Sequence, residues 1–222
     1  QDYPNKEIVI IDGKSSDTTL KIIQSFKNLN LSYLSEADTG IYDAWNKAIK
    51  ICTGDWVCFI GSDDFWLFET ALTKLVDKID NDQINFISAK VKICNAVNHT
   101  VFTMGNAWDY KKLSKNINIA HPGSLHKKSL IKKFGLFDNN FKIAGDHDFL
   151  IRSGKEIRSE FLNLEIIQML DNGISKSKPL LAFYESAIAI IKNKNFGVMK
   201  GNCFFFLSII KFYIRKFLWK KK

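Results

Sequence analysis

The residue pattern of this chain is that of an α/β domain built on a mostly parallel sheet. Three features point to that class. Short apolar runs of strand length recur through the first 90 residues, several of them end in Gly or Asp, and the text between them has helical spacing.

The elements follow in order. Ile8-Val9-Ile10-Ile11 is a continuous apolar run closing on Asp12-Gly13, the pattern of a buried parallel strand. Ser15, Ser16 and Asp17 offer caps for a helix reaching about Phe26. Leu31 to Ser35 reads as a second strand. Tyr42 to Ile51 reads as a helix with Trp45, Ala48 and Ile49 on one side, stopping by Gly54. Trp56 to Ile60 is another buried strand and ends at Gly61-Ser62-Asp63-Asp64. Leu72, Leu75, Val76 and Ile79 keep helical spacing, and Ile84 to Ala89 is the next strand. Beyond residue 90 the pattern loosens. Val91–Cys94 and Val101–Met104 are expected to pair as a hairpin across residues 95–98. Helices are expected over Ser124–Lys133 and Asp146–Ser153, a strand over Phe161–Leu170, and helix again from about Leu180. With no internal repeat and only three prolines, one compact domain over residues 1–185 plus a tail over 186–222 is the economical division.

Charge marks the same division. The 222 residues carry a net charge of +9, but nine of the 32 Lys and Arg lie in residues 186–222, which hold no acid. Residues 1–185 are left with 23 basic and 23 acidic side chains and are neutral. Nucleic-acid binders spread basic charge over a folded face, so this placement argues against one. On a helical wheel Ser208, Lys211, Arg215 and Lys222 share one side, with Phe206, Ile209, Ile210, Tyr213, Ile214 and Phe217 on the other. The longest charge-free stretch, Gly201–Ile210, is ten residues, too short to span a bilayer. A helix lying in the headgroup region of an anionic membrane is the favoured reading; a helix docked on the domain or on a second copy is the other. The four cysteines (Cys52, Cys58, Cys94, Cys203) form no C-x-x-C pair and are expected to be reduced core thiols.

Ligands of open α/β sheets bind beyond the carboxyl ends of the strands. Asp12 ends the first strand, Asp38 closes the loop after the second, and Asp63-Asp64 follow the Trp56–Ile60 run. Carboxylates crowded on one edge repel unless a cation joins them. Mg²⁺ or Mn²⁺, held by one or two carboxylates and substrate phosphates, suits such an edge. Aspartates also cap turns and helices, and that reading stays open here.

Four blocks then carry a resemblance. "QDYPNKEIVIIDGKSSDTTL", "YLSEADTGIYDAWNKAI", "TGDWVCFIGSDDFW" and "HPGSLHKKSLIKKFGLFDNNFKIAGDHDFLIR" resemble, in order and spacing, the family 2 glycosyltransferases over about residues 1–185. The resemblance implies a GT-A fold, a nucleotide-diphosphate sugar donor (a UDP-sugar favoured), a divalent metal and inversion at the anomeric carbon. It implies a nucleotide-sugar half over about residues 1–90 and an acceptor half over 91–185. Asp12 falls on the nucleoside contact. Ser15 and Asp17 in the first block, and Asp38, Gly40, Asp43 and Asn46 in the second, fall among the donor-binding positions. Ser62-Asp63-Asp64 falls on the Asp-x-Asp type metal motif, with Asp63 the direct ligand and Asp64 beside it, also toward the donor. Asp146 falls on the general base. His121 is either a diphosphate or acceptor contact or a structural residue, and Asp148 either a helix-end charge or an acceptor contact.

Departures from the family pattern are Gly13 for a second Asp, Trp45 for Arg, Gly61 for the first acid of the fuller metal motif, and Gly145 for a Glu. The Gln-x-x-Arg-Trp motif of processive synthases is absent, which implies transfer of one sugar. The family begins with a strand and helix ahead of the "QDYPN" block, so this chain is expected to lack them and to leave Ile8–Ile11 short of a neighbour. The function implied is single-sugar transfer to a glycan or lipid-linked acceptor in bacterial surface-polysaccharide synthesis, on the cytoplasmic face of the membrane. The alternative is an inactive nucleotide-binding scaffold of a membrane assembly.

Overall fold

The computed structural model describes residues 1–27, 29–97, 99–115 and 119–219. Strand and helix alternate at first: β1 (Ile8–Asp12), α1 (Thr19–Ser25), β2 (Leu31–Ser35), α2 (Ile41–Ile51) and β3 (Trp56–Cys58). A short β4 (Phe65–Trp66), α3 (Ala71–Val76), β5 (Phe86–Cys94) and β6 (Thr100–Met104) follow. The second half holds β7 (Leu125–Lys127), α4 (Lys128–Phe134), α5 (Gly145–Ser153) and β8 (Ser159–Leu170), then α6 (Ile174–Ser177), α7 (Pro179–Lys192) and α8 (Gly197–Trp219).

Two sheets form. β1 and β2 pair in parallel, with Ile8 opposite Leu31 and Asp12 opposite Ser35, so both strands end at one edge. Among the described residues β1 has this one ladder, and Ile8–Ile11 are only half-buried where the apolar run predicts burial. The larger sheet runs β3-β7-β5-β8-β4, with β6 also on β5. β5 and β8 are parallel, whereas β7 is antiparallel to β3 and to β5, and β4 and β6 are antiparallel to their neighbours. The α/β class holds, but the sheet is mixed rather than mostly parallel.

One cause is β7. Leu125–Lys127 lies inside the stretch expected to be helix, and it inserts between β3 and β5, pairing Cys58 with Leu125 and Phe86 with His126. Three residues are too few to show a period, so only the partners reveal the strand. The helix begins after it, at Lys128. The hairpin expected at 91–104 is present, and its short connection makes β5 and β6 antiparallel.

β5 is buried on both faces and divides the core. Phe86 turns into a cluster with Phe59, Leu130, Phe149 and Ile190, while Ile87, Ala89, Val91 and Ile93 join Leu75, Ile166 and Ile167 on the other side. The period of two along β5 does this sorting, and each large side chain withdrawn from water contributes roughly 1.5–3 kcal/mol. Ala187, Ile190 and Phe204 belong to the first cluster. The division drawn at residue 185 therefore falls inside α7, and residues up to about 204 pack with the body. Cys94 is buried, Cys52 and Cys58 are half-buried, and Cys203 is exposed, unlike the core thiol expected there.

Candidate active site

Asp12 ends β1 and is buried. Its carboxylate accepts the Ser15 N–H at 3.1 Å and the Ser35 hydroxyl at 2.6 Å, closing the turn between two parallel strand ends. Hydrogen bonds from Ser15, then from Ser35, hold this carboxyl below the usual range. Asp38 lies against the bare Cα of Gly13, where an added Cβ would sit 2.8 Å from Oδ2. A side chain at position 13 would displace Asp38, which accounts for glycine beside Asp12. Asp38 Oδ1 accepts the Gly40 N–H, and Asp43 accepts the Thr39 N–H, so the loop entering α2 is closed by its own carboxylates. Asp17 caps the next turn through the Thr19 N–H. Asp12, Gly13 and Asp38 are thus brought together, while Ser15 serves the Asp12 turn.

Asp63 and Asp64 sit in the turn before β4. Asp64 Oδ2 accepts the Gly61 N–H at 3.0 Å, and a Cβ on Gly61 would stand 2.9 Å from that oxygen and 3.3 Å from Asp63 Oδ1. Burial, and then the charge of Asp63, push the Asp64 carboxyl up. Asp63 is exposed, and no ion pair among the described residues reaches either acid. Two unneutralised oxygen donors side by side fit Mg²⁺ or Mn²⁺. Among the described residues no group of three or more His, Cys, Asp or Glu assembles to hold a metal, so the protein supplies only part of such a shell.

Asp146 stands in the first turn of α5. The Tyr42 hydroxyl lies 2.6 Å from the Ile143 carbonyl and 3.2 Å from Asp146 Oδ1. Burial and the Asp146 charge raise the Tyr42 pKa, so it stays a hydroxyl donor. A Cβ on Gly145 would stand 2.8 Å from the Tyr42 ring. Glycine there is what lets α2 approach α5, so the departure from Glu at 145 has a steric reason. Trp45, one turn along α2, stacks on Phe59 at 4.5 Å and on His121 at 4.8 Å. Phe137 packs on Trp45 at 5.2 Å and on Phe149 of α5 at 5.0 Å, so aromatic packing links the end of the β3 run to the helix bearing Asp146. His121 is buried, with neither ring nitrogen bonded among the described residues, and burial lowers its pKa. It is held within an aromatic stack.

Asn46 is also buried. Its amide donates to the Phe137 carbonyl and to Asn139 Oδ1 and accepts the Phe137 N–H, clasping the 137–139 loop onto α2. Asp148 forms an intrahelical pair: Arg152 Nε donates to it at 2.8 Å, and the same guanidinium reaches the Phe134 and Leu136 carbonyls.

Two contributors escape sequence reasoning. Tyr42 is one. The other is Glu185 of α7, buried and accepting the N–H groups of Lys142, Ile143 and Ala144 at 2.8–3.1 Å. These donors precede α5, where N–H groups have no intrahelical partner. The only signal for Glu185 is that it is the last acid of the chain.

A mixed α/β sheet with carboxylates at its strand ends and a further Asp opening a nearby helix is the arrangement of a GT-A type sugar transferase. The profile of "Glycosyl transferase family 2" matches residues 1–138, and the chain belongs to that family. It is 30% identical over 149 residues to the PGL/p-HBAD biosynthesis glycosyltransferase of Mycobacterium tuberculosis, covering 66% of this chain and 57% of that one. It is 28% identical over 138 residues to the Escherichia coli UDP-Glc:alpha-D-GlcNAc-diphosphoundecaprenol beta-1,3-glucosyltransferase WfgD, covering 60% and 53%. The chain thus spans little more than half the length of these curated relatives. Among solved structures, residues 1–349 of Staphylococcus aureus TarS with UDP-GlcNAc superpose with a TM-score of 0.68 at 20% identity, over 92% of this chain and 63% of that one. The mannosyltransferase PcManGT of Pyrobaculum calidifontis, with GDP-Man and Mn²⁺, gives 0.64 at 18% identity, over 86% and 56%. These likenesses show the GT-A fold.

Proposed function

We propose that this glycosyltransferase moves one sugar, with inversion, from a nucleotide-diphosphate sugar to a glycan or lipid-linked acceptor of a bacterial surface polysaccharide. The observation that carries the reading is Asp146, presented at the start of α5 with one oxygen beside the Tyr42 hydroxyl and its approach segment clamped by Glu185.

Asp12 and Asp38 orient the nucleoside, with Ser15, Asp17 and Gly40 shaping the turns around it. Asp43 and Asn46 act on the donor indirectly, by fixing the loops at 39–40 and 137–139. Asp63 and Asp64 would hold Mg²⁺ or Mn²⁺, with donor phosphate oxygens completing the shell. A bound cation neutralises the charge of the departing nucleoside diphosphate. Asp146 takes the proton of the acceptor hydroxyl as its oxygen attacks the anomeric carbon opposite the leaving group, which inverts that carbon. The single Tyr42 proton, shared between the Ile143 carbonyl at 2.6 Å and Asp146 Oδ1 at 3.2 Å, ties one Asp146 oxygen to the segment before α5 and leaves the other for the acceptor. His121 shapes the acceptor side from within the aromatic stack.

Membrane attachment belongs to the same reading. Gly197–Leu218 is 22 residues with a mean hydropathy of 1.3, long and apolar enough to cross a bilayer by length and composition. That exceeds what the ten-residue charge-free stretch suggests. Phe206, Ile210, Ile214 and Phe217 are exposed along it beside Lys211, Arg215 and Lys216. A helix seated on an anionic cytoplasmic leaflet accounts for both features.

The test is Asp146→Asn. Turnover is expected to fall about a hundredfold or more while the melting shift given by a nucleotide sugar with Mn²⁺ is kept, since only the transition state loses its proton acceptor. Near-normal turnover in the folded variant overturns the assignment. Asp63→Ala is expected to abolish the Mn²⁺-dependent part of the shift.

A further inference from the structure

A cavity of about 750 Å³ lies between α8 and the segments around residues 110–115 and 155, apart from the aspartates of the donor site. Its walls are apolar: Tyr110, Phe196, Phe204 and Leu207 line it. Five lysines ring it, namely Lys111, Lys115, Lys155, Lys200 and Lys211, and among the described residues no acid lines it. None of the five takes part in an ion pair among the described residues, although Lys112 and Lys192 nearby in sequence do. Lys200 lies over the Phe196 ring at 5.2 Å. Five ammonium groups left unpaired around a greasy cavity repel one another, and an anion with an apolar body relieves both conditions.

The place of the cavity narrows the occupant. His147 adjoins Asp146, bonds the Leu113 carbonyl at 3.1 Å, and packs on Phe204 at 6.3 Å between ring centres. Phe204 and Ser114, the neighbour of Leu113, both line the cavity. The cavity therefore backs onto the first turn of α5, the turn that carries Asp146. Leu207, on its wall, is also among the exposed apolar residues of α8.

We propose that this cavity binds the lipid-phosphate part of the acceptor: the lysines take a phosphate or diphosphate, and the apolar walls take the first segment of the lipid chain. The proposal rests on the sugar-transferase reading and specifies its acceptor as a lipid phosphate or diphosphate rather than a free glycan.

The full chain is titrated calorimetrically with dodecyl phosphate below its micelle concentration, and with dodecanol, inorganic phosphate and phosphatidylglycerol vesicles. The same titrations are run on Lys155→Glu/Lys200→Glu and on the charge-neutral Lys155→Gln/Lys200→Gln; both lysines are exposed, so the variants keep the fold. Dodecyl phosphate is expected to bind at least tenfold more tightly than dodecanol or phosphate, and the Glu pair to weaken it tenfold or more, with the Gln pair between. Equal binding of dodecyl phosphate by wild type and both variants overturns the site. So does inorganic phosphate binding as tightly as dodecyl phosphate, which marks a plain anion site. Loss of vesicle binding alone assigns the lysines to bulk headgroups and equally overturns it. The nucleotide-sugar melting shift with Mn²⁺ separates the two readings. A normal shift without lysine-dependent lipid binding sinks the cavity alone, and lysine-dependent lipid binding without any shift sinks the transferase reading instead.

Discussion

Glu185→Gln tests how Asp146, the proposed base, is positioned. The wild-type carboxylate accepts three backbone N–H groups, Lys142 at 2.9 Å on Oε1 and Ile143 and Ala144 at 2.8 and 2.9 Å on Oε2. In the variant one oxygen can still serve Ile143 and Ala144, but an NH₂ group then faces the Lys142 N–H. Turning two charge-assisted bonds into neutral ones costs about 1 kcal/mol each, and Lys142, left with only its 3.1 Å contact to the remaining oxygen while an NH₂ group faces it, about 1 kcal/mol more. The amide is cheaper to bury than the carboxylate, which offsets part of this, so a net loss of about 1–3 kcal/mol is expected. The same segment carries the Ile143 carbonyl that Tyr42 bonds and leads directly into Asp146. A shift on the order of 1 Å there is enough to lower kcat about a hundredfold. Urea unfolding measures the first effect, and steady-state kinetics with the nucleotide-sugar melting shift measure the second. Stability within about 0.5 kcal/mol of wild type, the range of inert surface changes, together with unchanged kcat, refutes the clamp.

Three further perturbations address other parts of the molecule. Gly145→Ala brings a methyl to 2.8 Å from the Tyr42 ring and is expected to cost about 1–3 kcal/mol by overpacking, seen as a lower Tm, with turnover reduced. For Asp64 the sign is set by its raised pKa. The folded state holds that proton more tightly than the unfolded chain, so the charge opposes folding above the folded pKa and ceases to do so as pH falls through it. Asp64→Asn is therefore expected to stabilise the metal-free protein at neutral pH, with the gain shrinking toward pH 4, and to weaken Mn²⁺-dependent donor binding; denaturation curves at several pH values check it. Phe206→Ser/Ile210→Ser/Ile214→Ser alters only exposed or half-buried positions of α8 and should release the protein from anionic vesicles without changing its Tm, whereas truncation from residue 203 would also remove buried Phe204. Equal sedimentation of variant and wild type with vesicles marks α8 as a packing helix.

The features legible from the residues alone are local ones. Runs such as Ile8–Ile11 and Leu31–Ser35, and the spacing within Tyr42–Ile51, announce their elements because periods of two and 3.6 are properties of adjacent residues. Aspartates that close turns are legible for the same reason: Asp12 and Asp17 bond backbone only two or three residues away. The four blocks carried the family as well. Tertiary structure decided what depends on distant partners. β7 is a strand only because β3 and β5 flank it. Asn46 clasps a loop 91 residues away, Tyr42 meets Asp146 across 104, and Glu185 reaches Ala144 across 41. A carboxylate or amide has the same chemistry in solvent as in the core. Which backbone donors surround it is set when α2, α5 and α7 pack together, and that packing also requires glycine at 145.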